Sequence, residues 1–246
     1  MARRIEAAFS GREIKKAEAP NPRSPLHRTA SRLEGERLED TDTHGKHLLL
    51  RFSSGLILHA HMGMNGGWYV YRPGQRWRRS RRSAWLVLDL GDLEVVEFGG
   101  PTLRLVRATE LSRDTRFARL GPDILGGPDS VERAADNLAA ASTVELGEAL
   151  LNQRLVAGIG NIFKSESCFE ARLSPWRTIQ SLERSQIESV LEIAASQMAR
   201  GVETGRRPGR IDRSSGSPCP SCGGLIKSRG QGDDNRITYW CPACQS

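Results

Sequence analysis

The sequence predicts an α+β fold in which an antiparallel β-sandwich comes first and a helical domain with a cysteine-rich β-hairpin follows. Three observations support this: short β-rich runs fill residues 46–108, helical periodicity dominates residues 130–201, and two Cys-x-x-Cys pairs lie near the C-terminus. With 246 residues, the chain is long enough for two domains that each have a core of their own.

The N-terminal half alternates short runs of β-forming residues with glycine-containing turns. Such spacing is typical of antiparallel sandwiches and barrels. Ahead of these runs, residues 1–11 have the pattern of an amphipathic helix, with Ile5 and Phe9 four positions apart and a glycine at the end. The predicted strands are Lys46–Phe52, Leu56–Met64, Trp68–Tyr71, Ala84–Leu90, Leu93–Phe98 and Thr102–Ala108.

The second half has helical patterns that follow a turn-rich stretch with two Gly-Pro-containing segments. Ser130 is the predicted N-cap of the first helix. The predicted helices are Ser130–Ala141, Val144–Leu151, Asn161–Ala171 and Leu182–Gly201. Further on, a Gly-, Arg- and Ser-rich stretch without periodicity predicts a flexible linker. The predicted divisions are a sandwich domain (1–120), an interdomain linker (121–129), a helical domain (130–203), a flexible linker (204–217) and a cysteine-rich finger (218–246).

The strongest chemical signal is the pair of Cys-x-x-Cys turns, which eighteen residues separate. Each turn can direct two thiolates at one cation, so together they predict a tetrahedral, structural zinc site with four sulfur ligands. Two disulfides or redox dithiols are the alternatives. The predicted ligands are Cys219, Cys222, Cys241 and Cys244. Cys168, the remaining cysteine, lies in an apolar stretch and is predicted to be a buried small hydrophobic residue.

Charge and composition narrow the functional classes. Thirty-six basic residues against twenty-nine acidic ones give a net charge of +7, which favours polyanionic partners such as nucleic acid but is also common in proteins that bind none. No apolar run is long enough for a membrane span and no secretory signal is recognisable, so a cytoplasmic location is expected. A block of arginines around Trp77 is either a solvated loop or a DNA contact.

Two local patterns are weak evidence when each is taken alone. The segment 236–240 reads as a strand with Arg236 at its turn end, and such an arginine is either a solvated surface residue or a functional cation. Gly158 and Gly160 precede Asn161 where a helix is predicted to begin. Such a turn is either a plain connector or an anion site formed by the backbone N–H groups of the helix N-terminus.

Several motifs together resemble the formamidopyrimidine-DNA glycosylase and endonuclease VIII family of base-excision repair enzymes, over nearly the whole chain. The sequence lacks the Arg-Arg-Phe motif of this family and has Thr102–Ala108 in its place. This difference makes the sequence more similar to endonuclease VIII. The motifs that carry the resemblance are Val156–Asn161, Tyr239–Gln245, Gly121–Leu125, His44–Leu50 and His61–Gly66.

The resemblance implies a fold, an activity and a partner. The helical domain is expected to contain a helix-two-turn-helix, followed by a zinc-finger β-hairpin. The expected function is removal of oxidised bases, more specifically pyrimidines, from DNA, followed by lyase cleavage at the abasic site. The protein is expected to act as a monomer, with DNA in the cleft between its domains.

Roles for individual residues come from the same resemblance. Lys46 and Arg236 are implied in catalysis, and Met64 is the implied wedge that fills the space of the displaced base. The implied DNA contacts are Lys46, His61, Gly158, Gly160, Asn161 and Arg236. Apart from the resemblance, Lys46 reads as a solvated residue, and His61 and Met64 read as core residues.

One departure from the family concerns the N-terminus. The family nucleophile is a terminal proline followed by a glutamate, whereas this sequence opens Met1-Ala2-Arg3 and resembles the middle of the family's first helix. A terminal secondary amine attacks the sugar C1′, so the chain as written is expected to bind DNA better than it cuts it. The alternatives are a non-catalytic binder of damaged DNA and, more distantly, a zinc-ribbon protein that binds RNA or another protein.

Overall fold

The computed structural model describes residues 2–61, 63 and 66–246. Within it the chain forms two compact units, Met1–Ala118 and Arg119–Ser246. In the part of the chain that is described, no helix combines the length and the apolar character that crossing a membrane requires.

The N-terminal unit contains two antiparallel sheets, with strand orders β1-β6-β7-β5 and β2-β3-β4-β8. Helix α1 (Ala2–Phe9) precedes them. The sheets consist of β1 (Lys16–Glu18), β2 (Leu38–His44), β3 (His47–Phe52), β4 (Leu56–His61), β5 (Trp68–Tyr71), β6 (Leu86–Asp89), β7 (Glu94–Glu97) and β8 (Thr102–Arg107).

The core of this unit lies between the two sheets. Leu50 and Leu58 from one sheet pack with Leu88 from the other, as the period of two in a strand requires. The opposite face of β3 is also covered, because Leu49 packs under two short helices, α2 (Ala108–Ser112) and α3 (Thr115–Ala118). Burial on both faces explains the continuous leucine run in β3. The predicted β-sandwich is confirmed.

The second unit is mainly helical and ends in a two-stranded hairpin. Leu138, Leu150, Cys168 and Leu191 come from four different helices and share one buried core. The predicted burial of Cys168 is therefore confirmed. The elements of this unit are α4 (Pro128–Ala140), α5 (Leu146–Leu151), α6 (Asn161–Glu170), α7 (Arg184–Thr204), β9 (Lys227–Gln231) and β10 (Arg236–Trp240).

One local prediction is wrong. Ser130 is not an N-cap, because α4 already begins at Pro128 after Gly127, and proline suits the first helical position, where no N–H partner is needed.

The predicted flexible linker, residues 204–217, contains three residues with fixed contacts. The buried carboxylate of Glu166 accepts the N–H groups of residues 210, 211 and 212 at 3.1, 2.9 and 2.8 Å, and the Ile211 side chain is fully buried.

Candidate functional site

The four cysteines of the two Cys-x-x-Cys turns lie together in the second unit. Their Sγ atoms are all within 4.8 Å of one another, with 3.8 Å between Cys219 and Cys244 and 3.5 Å between Cys222 and Cys241. Tetrahedral zinc, with Zn–S bonds of about 2.3 Å, holds its sulfur ligands about 3.8 Å apart. The cluster therefore has the donor set and the size that a closed, structural metal site needs.

The cysteine cluster joins the terminal hairpin to helix α6. Cys219 and Cys241 are buried in one small core with Ile226 and with Phe169 of α6. In the hairpin itself, Arg236 of β10 pairs with the last residue of β9. Arg236 is thus the first strand residue after the connecting loop, as the sequence predicts.

The turn before α6 has a defined geometry. Gly158 has a φ of +105°, in the left-handed region that glycine adopts without strain. The Gln153 side chain holds this turn: its Oε1 accepts the N–H of Gly158 at 3.0 Å and its Nε2 donates to the carbonyl oxygen of Ile159 at 3.0 Å. Gly160 is the extended N-cap residue and α6 begins at Asn161. Sequence patterns did not identify Gln153, because a glutamine after a helix has no distinctive pattern.

Asn161 connects the helix N-terminus with the hairpin. Its Nδ2 donates to the backbone oxygen of Ile237 at 2.7 Å. Because Ile237 directly follows Arg236, two residues that the resemblance implies as phosphate contacts belong to adjoining segments. The Arg236 side chain is 44% exposed and forms an ion pair of 3.5 Å with Asp234.

Lys164 lies one helical turn after Asn161 and is fully buried. Its Nζ donates to Oδ1 of Asn161 at 2.9 Å and also to the Thr238 hydroxyl on β10. Burial lowers the pKa of Lys164 to about 8, and the charge of Arg236 acts in the same direction. Sequence patterns did not identify Lys164, because lysine on a helix is usually exposed.

In the N-terminal unit, Lys46 lies in the two-residue turn that joins β2 to β3. His44 pairs with His47 across this turn, and Gly45 occupies its first position with a φ of +59°, which favours glycine. His61 lies opposite His47 in the register of β3 and β4. Burial lowers the pKa of His61 and the charge of Lys46 lowers it further, so Lys46 and His61 are neighbours.

Two further histidines form a hydrogen-bonded chain beside His61. Arg104 donates its Nε–H to Nδ1 of His59 at 3.2 Å, so His59 carries its proton on Nε2 and donates it to Nδ1 of His47 at 2.8 Å. Burial lowers the pKa of His59 to about 4, and the charge of Arg104 acts in the same direction. Burial beside three other histidines lowers the pKa of His47 to about 3. Both imidazoles are therefore neutral at pH 7. Sequence patterns did not identify this hydrogen-bonded chain, because it depends on the pairing of two strands.

The arginine-rich loop between β5 and β6 makes contacts within its own unit. Arg81 forms ion pairs with Glu18 and Glu94, and its guanidinium lies 4.9 Å from the centre of the Trp77 ring. Intramolecular contacts thus account for the position of Arg81, and none of them requires DNA.

The implied DNA contacts fall into two groups. Lys46 and His61 are neighbours in the N-terminal unit. The second unit contains the other group, Gly158, Gly160, Asn161 and Arg236. Met64 lies outside the described residues, so its role as a wedge stays a prediction.

Comparison with known proteins gives matches to both units. The N-terminal domain of formamidopyrimidine-DNA glycosylase matches residues 1–102, and the H2TH domain of the same family matches residues 120–211. A probable endonuclease 8 2 from Streptomyces coelicolor is 36% identical, over 100% of this chain and 91% of that protein. The DNA-(apurinic or apyrimidinic site) lyase Nei2 from Mycolicibacterium smegmatis is 33% identical, over 98% of this chain and 94% of that protein.

A solved structure shares the fold. The complex between the Lactococcus lactis Fpg and an abasic site containing DNA has a TM-score of 0.84, with 20% identity over 100% of this chain and 96% of that chain. At this identity the likeness establishes the fold alone. The full-length sequence matches and the two domain matches, taken together, place this chain in the formamidopyrimidine-DNA glycosylase and endonuclease VIII family.

Proposed function

We propose that this protein is a DNA-repair protein of the endonuclease VIII type, which recognises damaged DNA through a fold built for DNA glycosylase and abasic-site lyase chemistry. One observation supports this most: the hydrogen bond of 2.7 Å from Asn161 to the strand that Arg236 begins. It sets an amide donor at a helix N-terminus close to an exposed cation. The names of the relatives, an endonuclease 8 and an abasic-site lyase, support the same activity.

We assign most of the contacts with the phosphates of the DNA backbone to the second unit. The first N–H groups of α6 have no partner within the helix, and they suit a phosphate that approaches past the partly exposed Gly160. Asn161 and Arg236 add a neutral donor and a charged one. An enzyme that flips a base out of the duplex needs such contacts, because it has to hold a distorted backbone while the base is outside the stack.

The N-terminal unit supplies the remaining contacts in this proposal. Lys46 provides a cation at a hairpin turn, and His61, whose pKa is lowered, provides a neutral ring that donates through one N–H. Met64 fills the space of the displaced base, for which an unbranched, adaptable side chain is suited.

We propose that Cys219, Cys222, Cys241 and Cys244 hold one zinc ion with a structural role. The separations of their sulfur atoms fit tetrahedral coordination, and four thiolates leave no position for water. When bound, zinc crosslinks the two ends of the finger and so fixes the hairpin that carries Arg236.

The proposed chemistry requires an amine that attacks the sugar C1′. The attack displaces the base and forms an iminium ion, which acidifies the C2′ proton so that the 3′ phosphate can be eliminated. The resemblance assigns the amine to a terminal proline and proton transfer to the glutamate after it, with Lys46 and Arg236 in supporting catalytic roles. The 246 residues contain no Pro-Glu pair, so we propose that a polypeptide of these residues alone binds damaged DNA and forms little covalent intermediate.

Borohydride trapping on abasic-site DNA tests this assignment. It compares the 246-residue chain with a form that carries an upstream Met-Pro-Glu segment. We expect the extended form to be trapped and to cleave the strand, to prefer an oxidised pyrimidine such as 5-hydroxyuracil over 8-oxoguanine, and to lose activity on Lys46→Ala. Absence of trapping and cleavage by the extended form would contradict the lyase proposal. Equal trapping of both forms would show that the nucleophile lies within the 246 residues.

A further inference from the structure

Lys164 is a buried ammonium group without a role in the proposed DNA contacts. Its side chain is fully buried, and burying a charged group is costly unless hydrogen bonds satisfy it. The two hydrogen bonds described above, to Asn161 Oδ1 and to the Thr238 hydroxyl, meet that requirement. One side chain thus joins the first residue of α6 to strand β10.

These bonds determine which way the Asn161 amide faces. An ammonium group can only donate, so the atom of Asn161 that faces Lys164 has to be the oxygen. The planar amide then directs its NH2 group to the other side, where one hydrogen goes to the backbone oxygen of Ile237. Without Lys164, only the Ile237 oxygen would oppose a rotation of the amide by half a turn, which would exchange its oxygen and nitrogen. An amide oxygen in that place would repel a phosphate rather than donate to it.

The Thr238 hydroxyl connects Lys164 to further buried side chains of the second unit. The Thr238 hydroxyl accepts from Lys164 and donates to Oε1 of Gln231 at 2.8 Å. Gln231 in turn donates through Nε2 to the carboxylate of Glu145 at 2.9 Å. This series of hydrogen bonds therefore runs from an ammonium to a carboxylate, and each bond in it joins a donor to an acceptor.

A glycine in helix α5 leaves space for these hydrogen-bonded side chains. A Cβ atom at Gly147 would lie 2.2 Å from Oε1 of Gln231, so only glycine at that position lets the Gln231 side chain reach its partners. Thr238 and Gln231 are themselves buried. If one of these side chains turned away, its buried neighbour would lose a hydrogen bond. The free-energy cost of that loss keeps the orientation of all the connected side chains fixed.

We infer that Lys164 is a positioning residue for DNA recognition: it fixes the Asn161 amide with its NH2 group facing the phosphate. This inference rests on the proposed function, because it assigns a phosphate contact to Asn161. The residue itself does not touch DNA.

A double-mutant cycle tests the inference. Affinity for a duplex with a tetrahydrofuran abasic-site analogue is measured for the parent protein, Lys164→Met, Asn161→Ala and the double variant. We expect Lys164→Met to weaken binding by about 10-fold, and the double variant to bind no more weakly than Asn161→Ala. Ser165→Ala is the matched control. Ser165 Oγ accepts the N–H of Tyr239 at 3.3 Å, so this change loosens the same contact of α6 with β10 without touching Asn161.

The outcomes separate this inference from a simple loss of packing. Independent, multiplicative effects of Lys164→Met and Asn161→Ala, or an equal loss in Ser165→Ala, would overturn it. If Lys164→Met does not fold, Lys164→Gln tests the same point from the other side: glutamine keeps a donor for Asn161, so its affinity should stay near that of the parent, and a 10-fold loss would overturn the inference.

Nuclear magnetic resonance of the Asn161 side-chain NH2 group gives a readout that does not depend on DNA. We expect its proton signals to be shifted from the values of free asparagine and to exchange slowly with water in the parent protein, and to move toward the free values and exchange faster in Lys164→Met. Unchanged signals in the variant would refute the positioning role. If Asn161→Ala binds DNA as well as the parent, the phosphate assignment in the proposed function fails, while the NH2 signals still decide the role of Lys164.

Discussion

The neutral His47–His59 pair makes the stability of the N-terminal unit sensitive to acid. Burial, together with the charge of Arg104, lowers the pKa of His59 to about 4 from the ordinary value of 6.5. The unfolded chain therefore binds more protons than the folded chain between these two values. The free energy of unfolding that is present above pH 6.5 is therefore lost as the pH falls toward 4.

The magnitude follows from the two pKa values of His59. Each pKa unit corresponds to about 1.4 kcal/mol, so His59 alone lowers the free energy of unfolding by about 2 kcal/mol between pH 8 and pH 5. His59→Gln is the informative variant. A glutamine side chain can still accept from Arg104 and donate to His47, but it does not titrate.

Urea unfolding of the parent protein and His59→Gln, each at pH 8 and pH 5, measures this effect. We expect the loss of stability on acidification to be about 2 kcal/mol smaller in the variant. Glu97 acts in the opposite direction, since burial raises its pKa to about 7 and its contribution is lost as the pH rises. Because both proteins contain Glu97, its effect cancels in the comparison. The same pH dependence in both proteins would refute the reasoning.

Three further predictions concern other buried groups. Glu97→Gln should raise the free energy of unfolding by about 3 kcal/mol at pH 8 but by less than about 1 kcal/mol at pH 5, which urea unfolding at both pH values measures. Glu166→Gln should speed hydrogen exchange of the amides of residues 210–212 at least 10-fold, because about 1.5 kcal/mol is lost when a charged acceptor is removed; unchanged exchange would contradict the anchoring of this segment. Metal analysis should find one zinc per chain, and Cys241→Ser should weaken metal retention and DNA affinity; zinc well below one per chain, or an unaffected variant, would contradict the metal site.

Local signals explain why much of the fold could be predicted. The leucine run of β3 and the helical periodicity of α7 are each encoded within a single segment, and the glycines at positions 158 and 160 mark a turn by their own conformational freedom. Strand β2 was missed because its sequence, LEDTDTH, has no apolar alternation and most of its side chains are exposed. Its strand conformation comes from pairing with β3, a contact that the sequence of β2 does not reveal.

The parts of the site that were missed depend on contacts between distant segments. Lys164 is a buried donor only because β10 lies against α6. His59 belongs to the hydrogen-bonded chain of histidines only because Arg104 of β8 lies beside it. Glu166 shows the same principle, since its three N–H partners lie more than forty positions away. A segment without periodicity was therefore predicted to be flexible, although a buried carboxylate holds it.

The central claim is that Asn161 and Arg236 form a phosphate-binding surface for damaged DNA. Fluorescence anisotropy at fixed salt, with a duplex that contains the tetrahydrofuran abasic-site analogue, tests it most directly. We predict that Asn161→Ala and Arg236→Ala each weaken binding by about 1 to 3 kcal/mol, the range for losing a charge-assisted hydrogen bond. Arg200→Ala, which removes an exposed charge from α7, is the control and should change affinity far less. Equal affinity of the parent and both site variants would show that DNA does not bind to this surface.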